Sequence, residues 1–201
     1  MDMQLQSPSP PVNMLGGHVS QQETILTLRC HDSTFKKVTV VDAEENPVFR
    51  VEGSTFGTSW SWRRKVYDAA NNQHLFDFRH ESFDFKNRWL AEDAAGRKVC
   101  SLVHKNQVTT NHSAIDATVR TVAGEDVLVI MRPQDGGALT TTVSVGGTTI
   151  ATIRKAVDNT KTSRGDDDNS VWELRVAAAT DLTMIMALAL CRAEMGHVWK
   201  Q

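Results

Sequence analysis

From Thr24 onward, apolar and polar side chains alternate over short runs that are cut by Asp, Asn and Gly, the pattern of half-buried strands joined by hairpins. Leu26, Leu28 and Cys30 alternate with Thr27 and Arg29, and Val38 to Val41 and Val48 to Val51 flank the turn-forming stretch from Asp42 to Pro47. Trp60 and Trp62 alternate with Ser61 and Arg63, and His74, Phe76, Phe78 and His80 oppose Leu75, Asp77 and Arg79. Val99 to His104, Ala117 to Val122, Val127 to Met131, Leu139 to Val145, Thr148 to Val157 and Val171 to Val176 continue the series. Gly146 and Gly147 predict a tight two-residue turn.

The pattern changes near the C-terminus. Leu182, Thr183, Met184, Ile185, Met186, Ala187, Leu188, Ala189, Leu190 and Cys191, wound at about 100° per residue, leave no polar stripe, so this helix must be surrounded on every side. The run is shorter than the roughly 20 apolar residues of a membrane span and is bracketed by Asp181, Arg192 and Glu194, which predicts a buried core helix. Thr180 and Asp181 supply N-cap chemistry, Arg192 suits the C-terminal end, and Gly196 is a candidate stop.

About a dozen antiparallel strands followed by one all-round apolar helix have a simple physical solution. The sheet closes into a barrel, which removes its edges, and the helix fills the lumen with Leu182, Ile185, Met186, Leu188 and Ala189. The expected fold is therefore mainly β, a closed antiparallel barrel around a central hydrophobic C-terminal helix. An Asp-Ala pair opens a turn at Asp42, Asp68 and Asp93 at nearly equal spacing, as though one strand-turn-strand unit were reused.

Composition sets the limits. The 201 residues, 40% apolar and 23% charged, suit one domain with tails, and a net charge of -2 argues against a dedicated nucleic-acid binder. Residues 1–22, rich in Gln, Ser and Pro, read as a disordered lead without signal-peptide character; residues 23–201 form the domain. Cys30, Cys100 and Cys191 have no CxxC pairing and suit reduced thiols in a cytoplasmic protein, where the Asn111 sequon stays unmodified. Residues 158–170, with Asp166, Asp167 and Asp168, read as a mobile acidic loop without the alternating ligands of a calcium loop.

The order of features resembles the LURP-one-related proteins, which share the tubby C-terminal-like fold with tubby and the phospholipid scramblases. The likeness runs through Val40, Val41, Asp42 and Ala43 to Asn46 and Val48 to Gly53, then Val66 to Ala69, Leu75, Phe76, Arg88 and Trp89. It continues in Ile150 to Lys155 and ends in Trp172, Leu174 and Val176 to Asp181 before the apolar helix. The resemblance implies a twelve-stranded barrel around the helix. It brings no catalytic residue: family members have no established enzymatic activity, tubby is a phosphoinositide-binding module, and plant relatives are linked to defence responses. The acidic loop and the N-terminal lead depart from the family's pattern.

No GxSxG, HExxH or GxxxxGK[ST] occurs, so neither a catalytic residue nor a metal or cofactor site is assigned. His74 and His80 lie roughly 20 Å apart along one strand, too far to share a metal, and His31, His104 and His112 are isolated. Trp60, Trp62, Trp89 and Trp172 suit interior packing, as does Cys191. The one functional hint is Arg63, Arg64, Lys65, where alternation points Arg63 and Lys65 outward about 7 Å apart. That spacing suits adjacent phosphates of a phosphoinositide or an anionic membrane surface, against the plainer reading of a solvated barrel wall. The expected activity is that of a non-catalytic binding or scaffold module, cytoplasmic or peripheral to membranes, with a lipid or protein partner. The alternative is a scramblase-like membrane protein that uses the C-terminal helix.

Overall fold

The computed structural model describes residues 3–32, 36–53, 63–81, 88–105, 114–134, 139–157 and 170–198. Trp60, Trp62, the Asn111 sequon, His112 and the Asp166, Asp167, Asp168 stretch lie outside them. The alternating runs form β1 (Thr24–Cys30), β2 (Lys37–Val41), β3 (Pro47–Gly53), β4 (Arg64–Asp68), β5 (His74–His80) and β6 (Arg88–Asp93). The series continues with β7 (Lys98–His104), β8 (Ile115–Arg120), β9 (Asp126–Pro133), β10 (Thr140–Val145), β11 (Thr148–Val157) and β12 (Val171–Val176). Each strand pairs antiparallel with its sequence neighbour, and β1 pairs with β12, so the sheet closes on itself without an edge.

The helix α1 (Leu182–Val198) fills the lumen. Met184, Ile185, Ala187, Leu188, Leu190 and Cys191 are 0% exposed, which covers every direction around two helical turns, so the barrel encloses the helix completely there. Met186 and Ala189 belong to the same core, and Leu182 packs against it. Opposite them, Leu26, Leu28, Val38, Val40, Phe49, Val51, Phe76 and Phe78 line the inner wall. Gly196 does not end the helix, which runs on to Val198; a glycine inside a helix costs only about 1 kcal/mol relative to alanine. No helix among the described residues is long and apolar enough to cross a membrane.

Hairpin chemistry explains the apparent repeat. Asp42, Asp68 and Asp93 close the β2–β3, β4–β5 and β6–β7 turns at one mouth of the barrel, each accepting a hydrogen bond from the amide two residues on, of Glu44, Ala70 and Ala95. Glu45, Asn72 and Gly96 adopt positive φ in these turns. Thr121 plays a related part between β8 and β9, its hydroxyl accepting from Glu125 N–H. There β8 ends at Arg120, so Val122 lies in the turn rather than in a strand and donates its amide to the Asn13 carbonyl. Gly146 and Gly147, both at positive φ, make the tight turn between β10 and β11.

Residues 3–22 correct the expectation of a disordered lead. They form a strap across this mouth, with Val12 and Met14 each 2% exposed within the core. Gln6 N–H donates to the Thr149 carbonyl, the Ser20 hydroxyl donates to the Ala177 carbonyl at 2.6 Å, and Val19 forms a β-bridge with Asp181. Asp181 joins strap to helix: its Oδ1 accepts from the amides of Thr183 and Met184, and its Oδ2 from those of Met14 and Leu15. One carboxylate thus caps the helix and anchors the strap. Low hydrophobicity predicted disorder, but the buried Leu5, Val12 and Met14 and several long-range hydrogen bonds hold the segment.

Candidate functional site

Arg63, Arg64 and Lys65 are consecutive, yet the barrel gives them three environments. Arg64 is 1% exposed and lies inside the wall, its guanidinium carbon 6.0 Å from the Trp89 ring centroid. Lys65 is exposed, in register with Glu52 on β3 and Asp77 on β5. Arg63, just before β4, pairs with Asp77 and, at 3.4 Å, with Glu92 of β6. The outward placement expected for Arg63 and Lys65 is what alternation gives; the carboxylates facing them come from neighbouring strands and were invisible in the local sequence.

This patch is a small charge network. Glu92 accepts from Arg79 Nη2 at 2.7 Å. That hydrogen bond, with the charges of Arg79 and Arg63, holds the Glu92 carboxyl below its ordinary range against the opposing effect of burial. His74 reaches Asp77 Oδ1 at 2.8 Å and meets the Tyr67 ring in a tilted contact, so it belongs to the outer network, whereas His80 meets the Trp89 ring. A phosphate approaching Arg63 meets two carboxylates already in place. These part-buried pairs lower the local positive potential.

The same cross-strand pairing recurs around the wall. Arg154 of β11 binds Glu173 of β12 at 3.0 Å, Arg132 of β9 binds Asp116 of β8 at 2.6 Å, and Arg175 of β12 binds Glu23 at 2.5 Å. Burial pushes the Asp116 carboxyl up, and hydrogen bonds from Arg132 and Lys105 outweigh it, leaving it below its ordinary value.

The interior offers packing chemistry. Cys30, Cys100 and Cys191 are buried and not joined in disulfides, and burial pushes the Cys100 thiol up to about 12, which suppresses thiolate reactivity. Cys191 Sγ lies 3.9 Å from His104 Nε2 inside the wall. Trp172 is 3% exposed, with Lys155 and Arg192 over its ring at 5.6 and 5.3 Å. Arg192 donates to the Thr141 hydroxyl, so it packs in the barrel instead of serving only the helix terminus. Among the described residues no three His, Cys, Asp or Glu side chains converge as a metal site.

An edgeless antiparallel barrel threaded by its own C-terminal helix, with an ion-paired outer wall, defines a class of barrel whose fold is not known as enzymatic and which suggests a binding or scaffold module. The sequence profile of the LURP-one-related family matches residues 24–193, and the chain belongs to that family. A crystal structure of an Arabidopsis thaliana protein superimposes with a TM-score of 0.60 at 12% identity, covering 89% of this chain and 94% of that one. That likeness shows the shared fold. No curated protein sequence matches the chain.

Proposed function

We propose that the protein is a non-catalytic binding or scaffold module that engages a protein partner on the outer wall of its barrel. The observation that carries this reading is the filled lumen: α1 occupies the space where a barrel of this size would hold a small ligand. A protein partner suits the ion-paired wall because its own charges can exchange with pairs such as Arg154–Glu173. Three buried cysteines held as thiols rather than disulfides suit a cytoplasmic setting.

A second reading keeps phosphoinositide headgroups at Arg63 and Lys65, favoured by their exposure on one face. Vesicle sedimentation separates the two. Phosphoinositide vesicles that retain the protein at low salt, and release the Arg63→Ala, Lys65→Ala double variant, would establish the lipid reading. For the protein reading, a photo-crosslinker placed at outward Thr152, and in a second variant at Thr118, is expected to trap a discrete partner. Trapping from a crosslinker in the strap, with none from the wall, would overturn it. Turnover of a generic ester or phosphate substrate abolished by one point substitution would overturn the non-catalytic reading.

A further inference from the structure

One sector of the outer wall departs from the ion-paired pattern. Ser101 of β7, Thr118 of β8 and Leu128 of β9 stand in register and make an uncharged row across three strands, which continues to Leu90 of β6, itself buried at 3% exposure. Leu128 is 52% exposed, one of four large apolar side chains among the described residues left in water, with Ile25, Val122 and Leu139. Along β7 runs a groove of about 600 Å³ with small side chains, Ser101, Val103 and Thr118, in its lining. Arg88 stands toward one end and Arg97, Lys98 and Arg120 toward the other, with Asp126 as the carboxylate in the lining.

The charges are partly shared. Arg97 pairs with Asp93 at 2.7 Å, Arg120 grips Asp126 with two hydrogen bonds at 2.9 and 3.0 Å, and Arg88 lies 3.5 Å from Glu81. Lys98 is exposed, and its charge together with Arg120 holds Asp126 below its ordinary range, the Arg120 hydrogen bond being the larger cause. The four cations are thus met by the three carboxylates of Asp126, Asp93 and Glu81, which leaves an excess of one positive charge, carried by the exposed Lys98, beside a lining of small apolar and hydroxyl side chains.

We infer that this groove on β6, β7 and β8 docks an extended acidic polypeptide segment of a partner protein. The inference rests on the outer-wall reading above and names the surface. From Lys98 to Val103 the strand rises about 17 Å, which matches five or six residues of extended chain. Alternating side chains of such a segment place carboxylates over Arg88 and Lys98 while the opposite set packs on Thr118 and Leu128. A closed barrel has no free strand edge, so affinity comes from side chains and charge rather than from β-augmentation. The groove runs along β7 with cations toward both of its ends, which fits an extended chain.

The test uses the full chain and a fluorescein-labelled eight-residue peptide of alternating Glu and Leu, read by fluorescence anisotropy at about 20 and about 200 mM salt. Binding at the lower salt is expected, weakened about tenfold by Lys98→Glu and about tenfold by the uncharged obstruction Thr118→Trp, with Arg63→Ala plus Lys65→Ala changing it less than twofold. Amide shifts are expected to map to Ser101, Thr118 and Leu128. Circular dichroism melting confirms that each variant is folded. Absence of binding at low salt, or equal binding by a Lys-Leu peptide of the same pattern, overturns the inference. So does indifference to both Lys98→Glu and Thr118→Trp; if only the Arg63→Ala, Lys65→Ala double variant abolishes binding, the outer-wall reading survives and the groove does not. Phosphatidylserine vesicles that bind in a Lys98-dependent way while the peptide does not would assign the surface to membranes.

Discussion

The two mouths of the barrel are closed by different chemistry. At the mouth where α1 begins, backbone does the work: Asp42, Asp68 and Asp93 fold three short hairpins, and the strap from residue 3 to 22 is laid across them and tied to Asp181. At the other, large side chains reach inward: Arg64 lies near Trp89, and Arg192 near Trp172 and Thr141. The first closure satisfies exposed turn amides through Asp42, Asp68 and Asp93 and buried ones through Asp181, and the second buries cations against aromatic faces. They should therefore fail in different ways.

Substituting Leu188→Asp strikes the helix that links both mouths and is the largest expected effect. An uncompensated charge in a fully buried position costs more than about 4 kcal/mol, and chemical denaturation is expected to show no cooperative native state. A folded, cooperatively melting Leu188→Asp protein would refute the enclosed helix.

Asp181→Ala should separate the mouths. It removes a helix cap and leaves the Met14 and Thr183 amides buried without their acceptor, for a loss of about 3 kcal/mol. Hydrogen exchange is expected to accelerate in residues 3–22 first. Arg192→Met, at the opposite mouth, should cost about 1–2 kcal/mol through its lost contacts to Thr141 and Trp172, with exchange in the strap unchanged. If both variants loosen the strap alike, the mouths are not independent.

Gly146→Ala tests the strap's seat more gently. Gly146 has φ +58°, and a Cβ there would run into the Ser9 carbonyl oxygen. A loss of about 1–3 kcal/mol is expected, relieved when residues 3–10 are removed from the same variant. Persistence of the full loss in that shortened chain would place the strain within the turn itself.

Acid should act on the strap mouth. Asp42 is held below its ordinary value chiefly by the Asn46 side chain. Burial raises Asp68, but hydrogen bonds from His18 and the Ala70 amide outweigh it, and Arg97 does the same for Asp93. With folded values below unfolded ones, the stabilisation is present above the unfolded carboxylate range and is lost as pH falls through the folded values, below about pH 4. Urea midpoints are expected to fall there, with hairpin amides at this mouth exchanging earliest. A flat midpoint from neutral pH to below about pH 3 would contradict this.

The smallest effect is expected from Glu45→Gly. Relief of the positive-φ strain at Glu45 is offset by glycine's greater unfolded entropy, so the thermal midpoint should reflect a change of no more than about 0.5 kcal/mol. A loss above about 1 kcal/mol would mean that the exposed Arg29–Glu45 pair at 2.7 Å matters more than exposed pairs usually do.

Local pattern carried the architecture. Period-two alternation marked most of the strands, Thr148–Val157 and Val171–Val176 to the residue, while β6 was not singled out because Trp89, Leu90 and Ala91 are all buried and break the alternation. The Asp-Ala spacing marked three hairpins that lie at one mouth. Arg63 and Lys65 were readable as outward, but the partners Asp77 and Glu92 arrive from other strands, so the electrostatic character of the patch was not.

By itself the sequence determined that the strands must wrap a helix with no polar side, because each side chain's solvation preference is fixed by its own chemistry and its position in the local period. Tertiary structure decided what pairs with what. The strap has no period of its own, and Met14 meets Asp181 across the length of the chain. The partners of Arg63 and the uncharged row from Leu90 to Leu128 exist only once closure brings separate strands into register. Such contacts depend on chain path rather than on neighbours in sequence.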